Sequence, residues 1–126
     1  MTKTVNFDLE ERTIKFSGNI IKFSKKVSIN PVTQRMVPQL VAAGTSVGAN
    51  CCEADDAESP KDFKHKIGIC KKEARETKYW LRVIANAIDS EELKQEAIIL
   101  WKEVKGLHLI FNAIYIKVGK KINKDN

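Results

Sequence analysis

Apolar residues recur along this chain at alternating spacings of three and four positions, in four runs separated by short breaks. The runs extend from Leu9 to Val27, from Leu40 to Ala54, from Phe63 to Ile88 and from Leu93 to Val118. Spacings of three and four place the members of each run on one face of an α-helix. No stretch alternates apolar and polar residues for long enough to predict a β-strand. The pattern therefore predicts an all-α protein.

The breaks between the runs carry residues that end and begin helices. Ser59 precedes Pro60, which suits an N-cap followed by a proline at the first helical position. Asp89, with an acidic residue three positions later, predicts a cap for the last helix. We therefore expect helices over 8–28, 32–57, 60–88 and 90–119, followed by a fraying tail over 120–126. Short connections favour antiparallel neighbours, so residues 1–126 are expected to form one up-down-up-down four-helix bundle.

The second predicted helix is rich in small residues, with Gly44 and Gly48 on adjacent turns. A glycine costs about 1 kcal/mol relative to alanine inside a helix, so we expect these two to allow close approach of a neighbouring helix. The phosphate-binding alternative lacks the lysine and the preceding strand of a P-loop. On the third helix, Glu73 is expected to form a polar contact with Thr45, Ser46 or Asn50 of this small-residue helix. An ordinary surface ion pair with Lys66 or Lys78 is the alternative.

The stretches QLVAAGTSVGANCCEADDAES and DFKHKIGICKKEARETKYWLRVI resemble the family of four-helix bundle proteins encoded in intervening sequences of 23S ribosomal RNA. The accessory variability protein of diversity-generating retroelements is similar in fold. The resemblance implies a basic, barrel-like homopentamer, and for the retroelement relative an association with a reverse transcriptase and nucleic acid. One departure is that Ala42 and Ala43 stand where the family commonly carries Arg-Ser, so no role of that arginine is carried over.

The chain is basic, with a formal net charge of +6 that falls mainly on the first and third predicted helices. Five cations share one flank of the third helix, and no carboxylate lies among them: Lys64, Lys71, Arg75, Lys78 and Arg82. We expect this row, together with Lys22, Lys25 and Lys26 of the first helix, to bind the phosphates of a nucleic acid. A solvated face, or a surface that meets a neighbouring subunit, is the alternative.

The fourth predicted helix carries apolar residues well outside its core face. Ile98, Leu109 and Ile116 fall on one side of it, and Ile99 and Ile110 fall on another. A helix that is apolar nearly all round is buried on more than one side. We therefore expect a homo-oligomer in which these residues form the interface, and the number five comes from the resemblance alone.

Catalytic and metal-binding patterns are lacking in the sequence. The chain has three cysteines and two histidines, with neither the spacing of a zinc site nor the Glu-x-x-His pairs of a di-iron bundle. We expect no cofactor, no metal and no enzymatic activity. Because no run of about 18 apolar residues occurs and the first residues lack a signal sequence, we expect a cytoplasmic protein without membrane contact.

Taken together, these features predict a non-enzymatic, basic, homo-oligomeric bundle that binds nucleic acid, either RNA or an RNA–protein complex. The alternative is an oligomeric assembly scaffold whose basic face docks an acidic protein partner.

Overall fold

The computed structural model describes residues 7–125, which form four α-helices and no strand. The helices are α1 (Phe7–Lys26), α2 (Thr33–Ala54), α3 (Pro60–Ala85) and α4 (Glu91–Asp125). They pack as a four-helix bundle in which α1 contacts α2, α2 contacts α3, α3 contacts α4 and α4 contacts α1. Among the described residues the backbones of the diagonal pairs α1–α3 and α2–α4 do not approach each other closely. The α3–α4 interface is the largest and the α1–α4 interface the smallest.

The prediction of an all-α fold with four helices is confirmed, but three helices end earlier than expected. The periodic apolar pattern continues past the last helical turn, since Val27 and Ile88 lie outside α1 and α3 and are nevertheless buried. A chain that has left the helix can still place an apolar side chain on the core. Periodicity alone therefore overestimated the lengths of α1 and α3.

The expectation of a fraying tail after residue 119 is wrong, because α4 continues to Asp125. Its 35 residues give a length of about 52 Å at ~1.5 Å per residue. Ile122 remains half-buried in this last segment, and Lys124 lies in the final turn, where a cation interacts favourably with the helix dipole.

The N-termini of α3 and α4 are capped by serine hydroxyls. Ser59 Oγ accepts a hydrogen bond from the backbone N–H of Asp62 at 3.1 Å, ahead of Pro60. At α4, Ser90 Oγ accepts from the N–H of Leu93 at 3.2 Å. The cap predicted at Asp89 is therefore supplied by the next residue, whose oxygen satisfies one of the free N–H groups of the first turn.

The start of α2 is organised by side chains of the preceding loop. Asn30 Oδ1 accepts from the N–H groups of Val32 and Thr33, at 2.9 Å and 3.0 Å. Thr33 is buried, and its hydroxyl donates to the carbonyl of Ser28 at 2.6 Å. The helix then runs through Pro38, which lacks the N–H that would continue the hydrogen-bond series.

The core is built from the four predicted apolar faces. All members of the four runs are buried except Phe63 and Ile114, which are half-buried and pack against the core. Two buried threonines satisfy their hydroxyls within their own helices, because Thr13 donates to the carbonyl of Glu10 and Thr77 to that of Glu73, each at 2.7 Å.

No helix in residues 7–125 has the length and apolarity needed to cross a bilayer.

Helix α1 lies closely against α2 at the two glycines. A Cβ atom at Gly44 would lie 3.0 Å from both γ-carbons of Ile20, and one at Gly48 would lie 3.1 Å from Thr13 Oγ1. Such distances are shorter than ordinary van der Waals contact. The absence of a side chain at Gly44 and Gly48 is what allows α1 to approach to this distance.

Candidate nucleic-acid interface

The surface between α3 and α4 carries a set of basic residues, which we call the α3–α4 basic face. Its members are Lys64, Lys71, Arg75, Lys78 and Arg82 of α3 with Lys105 and His108 of α4. The five α3 residues are the ones that the sequence analysis placed on one flank. The larger α3–α4 interface directs that flank toward α4, which adds further side chains to it.

Tyr115 anchors one end of the basic face. Lys64 Nζ and Lys71 Nζ lie 4.8 Å and 4.3 Å from the centroid of its ring. The ring packs on α3 where the chain has no side chain, since a Cβ at Gly68 would lie 3.0 Å from Tyr115 Cε1. Cation–π contacts at exposed sites contribute about 0.5–1 kcal/mol each, so the ring holds the two lysines in place without neutralising their charge.

Lys78 and His108 meet at the middle of the face, with Lys78 Nζ 3.3 Å from His108 Nδ1. An ammonium group can only donate, so this hydrogen bond requires a neutral imidazole whose Nδ1 accepts. Burial lowers the pKa of His108, and the charges of Lys78, Lys71 and Arg75 lower it further. Burial also lowers the pKa of Lys78, with added repulsion from Arg75 and Lys105.

The cations of the basic face lack acidic partners. Among residues 7–125 the ion pairs join Arg12 to Glu103 at 2.7 Å, Lys26 to Glu96 at 2.9 Å and Lys66 to Glu53 at 3.5 Å, and none includes a residue of the face. Like charges held together at a surface raise its positive potential. The arrangement therefore favours a polyanion as the ligand.

The lysines predicted on α1 do not extend this face. Helix α1 contacts α2 and α4 but not α3, so Lys22, Lys25 and Lys26 lie on another side of the bundle. Lys22 and Lys25 are exposed, whereas Lys26 forms the ion pair with Glu96 of α4. The expectation that α1 and α3 supply one common surface is wrong, because the two helices occupy diagonal corners.

Three α4 residues of this region were missed by the sequence analysis: Trp101, Lys105 and Tyr115. With His108 they recur at spacings of four, three and seven on one flank of α4, beside its core face. Lys105 Nζ lies 5.3 Å from the centroid of a Trp101 ring. The signal for them in the sequence is this second stripe beside the core stripe of α4, but which flank faces α3 is a tertiary property.

A shallow cleft of ≈ 490 Å³ opens at the Arg82 end of the face. Its lining is apolar apart from the arginine, and consists of Leu81, Arg82, Ala85, Ala97, Ile98 and Trp101. The indole nitrogen of Trp101 is enclosed and makes no hydrogen bond with the residues that the structure describes. The ring therefore offers the cleft its carbon surface.

The apolar residues predicted as an oligomer interface divide into two groups. Ile98, Ile99, Leu109 and Ile116 are exposed, with 42%, 65%, 59% and 48% of their surface accessible. Ile110 is half-buried and packs against the core, so less of its side chain is available to a second copy of the chain. Further exposed apolar residues lie on other elements: Ile14, Ile21, Ile29, Val32 and Tyr79.

The polar contact expected between Glu73 and α2 does not appear among the hydrogen bonds of the described residues. Its expected partners bond within their own helix: Thr45 donates to the carbonyl of Val41 at 2.7 Å, Ser46 to that of Ala42 at 2.6 Å, and Asn50 to that of Ser46 at 2.8 Å. Glu73 itself is half-buried, and burial raises its pKa, with a further contribution from Glu76.

The alternative ion pair of Glu73 is also absent among the described residues, since Lys66 pairs with Glu53 and Lys78 contacts His108.

The cysteines show no sign of a reactive thiolate. Cys51 and Cys70 are buried. Burial raises the pKa of Cys51 to about 12, and it raises the pKa of Cys70 as well. Cys70 Sγ donates to the carbonyl of Val47 at 3.6 Å. Cys52 is half-buried, and its pKa is raised by burial and by nearby carboxylates. Within residues 7–125 no three His, Cys, Asp or Glu side chains converge as metal ligands would.

Comparison with known proteins gives a family and a solved relative. The sequence profile of the family described as "23S rRNA-intervening sequence protein" matches residues 6–106. A crystal structure of a protein of unknown function from the S23 ribosomal protein family of Bacteroides thetaiotaomicron VPI-5482 superposes with a TM-score of 0.72 at 26% identity, covering 85% of this chain and 97% of that one. Comparison with curated proteins finds no match.

Proposed function

This chain belongs to the 23S rRNA-intervening sequence protein family, and we propose that it binds RNA through the α3–α4 basic face, as a homo-oligomer without catalytic activity. The observation that carries the proposal is the set of adjacent basic residues, none of which forms an ion pair with a carboxylate within residues 7–125. Polyanions remove the repulsion between these residues when they bind. RNA is favoured over other polyanions because the family of this chain and the family of the solved relative are both named after ribosomal components.

The dimensions of the face suit a phosphate backbone. From Lys64 to Arg82 the helical rise amounts to about 27 Å at ~1.5 Å per residue, which spans several nucleotides. A complex that neutralises five phosphates of a single strand has a salt slope of about −3.5 in log K against log salt concentration, at ~0.7 per phosphate. The association is therefore expected to be strong at low salt and weak at high salt.

The bundle that presents this face is inferred to have antiparallel, up-down-up-down connectivity. Contacts between α3 and α4 support the inference. Lys64 and Lys71, early in α3, contact the ring of Tyr115, which is late in α4. Lys78, later in α3, contacts His108, which is earlier in α4. An antiparallel pair in this register places the flanks of both helices side by side along the whole face.

The experiment measures binding of a labelled single-stranded RNA by fluorescence anisotropy over a series of salt concentrations. It compares the wild-type protein with two variants. One variant carries Lys71→Glu, Arg75→Glu and Lys78→Glu. The matched control carries Lys15→Glu, Lys22→Glu and Lys25→Glu, which changes the net charge equally but on α1, where these lysines are exposed.

We expect the α3 variant to lose at least ~10-fold in affinity and to show a smaller salt slope, and we expect the α1 control to remain within ~3-fold of the wild type. Equal losses in the two variants would mean that net charge, not this face, governs binding. Absence of binding to RNA at low salt would refute the proposal.

A second candidate function, an oligomeric scaffold, is favoured by the exposed apolar residues of α4. Ile98, Leu109 and Ile116 fall on its outer side, and exposed apolar groups in such a row are typical of contact sites. In this alternative the basic face docks an acidic protein, and heparin competes with that partner while no RNA shows specific binding.

Sedimentation tests the oligomer. We expect a species larger than the 14.3 kDa chain, and we expect Leu109→Lys to shift the population toward the monomer. The comparison variant Ile14→Lys introduces the same charge at an exposed site on α1. A wild-type protein that sediments only as a monomer would rule out the homo-oligomer.

A further inference from the structure

The apolar cleft and the row of cations belong to one surface. Arg82 is both the last cation of the α3 row and part of the cleft lining, and Trp101 lines the cleft while its ring lies under Lys105. A ligand that follows the cations therefore arrives at the cleft. The same ligand must offer negative charge along its length and an apolar group at one end.

We propose that the α3–α4 basic face takes RNA in single-stranded form and that the cleft at Leu81, Ala85, Ile98 and Trp101 receives one unstacked nucleobase. The proposal rests on the proposed function and specifies which form of RNA binds. Bases that are free of a duplex bind to proteins by stacking on aromatic and guanidinium surfaces while the cations follow the backbone, and here Trp101 and Arg82 provide those two surfaces.

The volume of the cleft suits a flat ring. At ≈ 490 Å³ it lies within the range of ~300–1,000 Å³ that small organic groups occupy in proteins. A duplex would have to break a base pair and unstack a base to use the cleft, at a considerable energetic cost. A single strand already has unstacked bases to offer.

Charge complementarity argues for a polymer over other apolar ligands. An aliphatic anion would place one negative head group at Arg82 and would leave Lys71, Arg75 and Lys78 without a counterion. An apolar side chain from a second copy of this chain would fill the cleft without itself placing a negative charge beside them. A strand with a phosphate on every nucleotide occupies the cleft and the cations together.

The test uses the protein and three ligands of equal phosphate number: a single-stranded 12-mer RNA, the same strand with abasic sites, and a 12-nucleotide RNA that folds back on itself into a hairpin duplex. Affinities are measured by anisotropy at one salt concentration. We expect the base-containing single strand to bind about 5- to 150-fold more tightly than the abasic strand, the range that one stacked base contributes. The duplex is also expected to bind more weakly than the base-containing single strand.

A cleft-filling variant locates the effect. Ala85 lines the cleft and is half-exposed, so Ala85→Leu reduces the space without removing a core side chain. We expect it to abolish the preference over the abasic strand while the affinity for the abasic strand and the salt slope stay unchanged. The matched control Ala113→Leu lies at an exposed position on α4 and is expected to keep the preference.

Tryptophan fluorescence gives a second readout. The chain has two tryptophans, so Trp80→Phe leaves Trp101 as the single indole. We expect the base-containing strand to quench its emission and the abasic strand to leave it unchanged.

The outcomes separate this inference from the proposed function. If none of the three ligands binds at low salt, the proposed function fails. If all three bind equally, or if the duplex binds more tightly, RNA binding stands and the single-strand inference is overturned. A change in sedimentation on Ala85→Leu with the ligand preference intact would assign the cleft to a second copy of the chain and would also overturn it.

Discussion

The ammonium of Lys78 lies 3.3 Å from Nδ1 of His108 and joins the middle of α3 to the middle of α4. This contact holds only while the imidazole is neutral, since a protonated ring has no acceptor at Nδ1. Burial of the ring favours the neutral form, and the surrounding cations favour it further. Protonation of His108 would break the contact and add a charge to a face that is already positive.

The stability of the protein should therefore fall as the pH is lowered through the region of histidine titration. In the unfolded chain a histidine takes up its proton near pH 6.5, whereas the depressed pKa of His108 delays uptake in the folded state. The unfolded state then binds more protons, so the free energy of unfolding decreases with falling pH. Urea unfolding at pH 7.5 and 5.5 measures the loss, and we expect a smaller free energy of unfolding at pH 5.5.

Replacement of the His108 ring checks whether this residue causes the pH dependence of stability. His108→Gln should reduce the difference in the free energy of unfolding between pH 7.5 and pH 5.5. His65→Gln, at an exposed position on α3, should leave that difference in place. An unchanged pH dependence in His108→Gln would contradict the prediction.

RNA binding should depend on pH in the opposite direction. A bound phosphate stabilises the protonated form of His108 and so raises its pKa, and by linkage proton uptake strengthens binding. We expect the affinity for single-stranded RNA to rise a few-fold, about 2- to 5-fold, between pH 7.5 and pH 6. Anisotropy titrations at constant ionic strength measure it, and loss of the effect in His108→Gln is the expected control result. An affinity that stays unchanged or falls over this interval would contradict the prediction.

The two glycines of α2 should tolerate alanine poorly. At Gly44 the new Cβ would lie 3.0 Å from Ile20, and excess volume in a packed core costs about 1–3 kcal/mol. The gain in helix propensity offsets about 1 kcal/mol of this, so we expect Gly44→Ala to lower the free energy of unfolding.

Gly18→Ala is the matched control, because Gly18 lies in α1 and a Cβ there meets nothing within 4 Å. We expect it to stabilise the protein by about 0.5–1 kcal/mol. Chemical unfolding of both variants measures the contrast, and equal stabilisation by the two alanines would refute the close approach of α1.

Thiol reactivity should distinguish the three cysteines. Cys51 and Cys70 are buried with raised pKa values, whereas Cys52 is half-buried. We expect Ellman's reagent to modify Cys52 slowly at neutral pH, and the other two only after unfolding, because the thiolate is the reactive species. Cys52→Ser should remove the reaction of the native protein. Rapid modification of more than one thiol in the native protein would contradict the buried positions.

Much of the fold was predictable because helix periodicity is a local property. Ile20 and Phe111 are fully buried, as their places in the apolar runs require. The helix ends were less predictable, since Val27 and Ile88 contribute to the core from outside a helix. A repeat pattern records which side chains are buried and does not record where the backbone leaves the helix.

The candidate site was predictable only on α3. The cations from Lys64 to Arg82 share a flank by helical geometry alone, and the sequence identifies that flank without any partner. Their association with Tyr115 and His108, and the separation of Lys22 and Lys25 from them, depend on which helices are neighbours. Local spacing carries no information about that choice.

By itself the sequence determined that the chain forms four helices, which face of each is buried, and that one flank of α3 is basic, because spacings of three and four and the charges along them act within a single helix. Only the tertiary structure decided that α4 lies beside this flank, that α1 lies diagonally opposite, and that an apolar cleft adjoins the last cation. The physical reason is that neighbour choice depends on how whole faces fit together, as Ile20 fits over Gly44, and such fits join residues far apart in the chain.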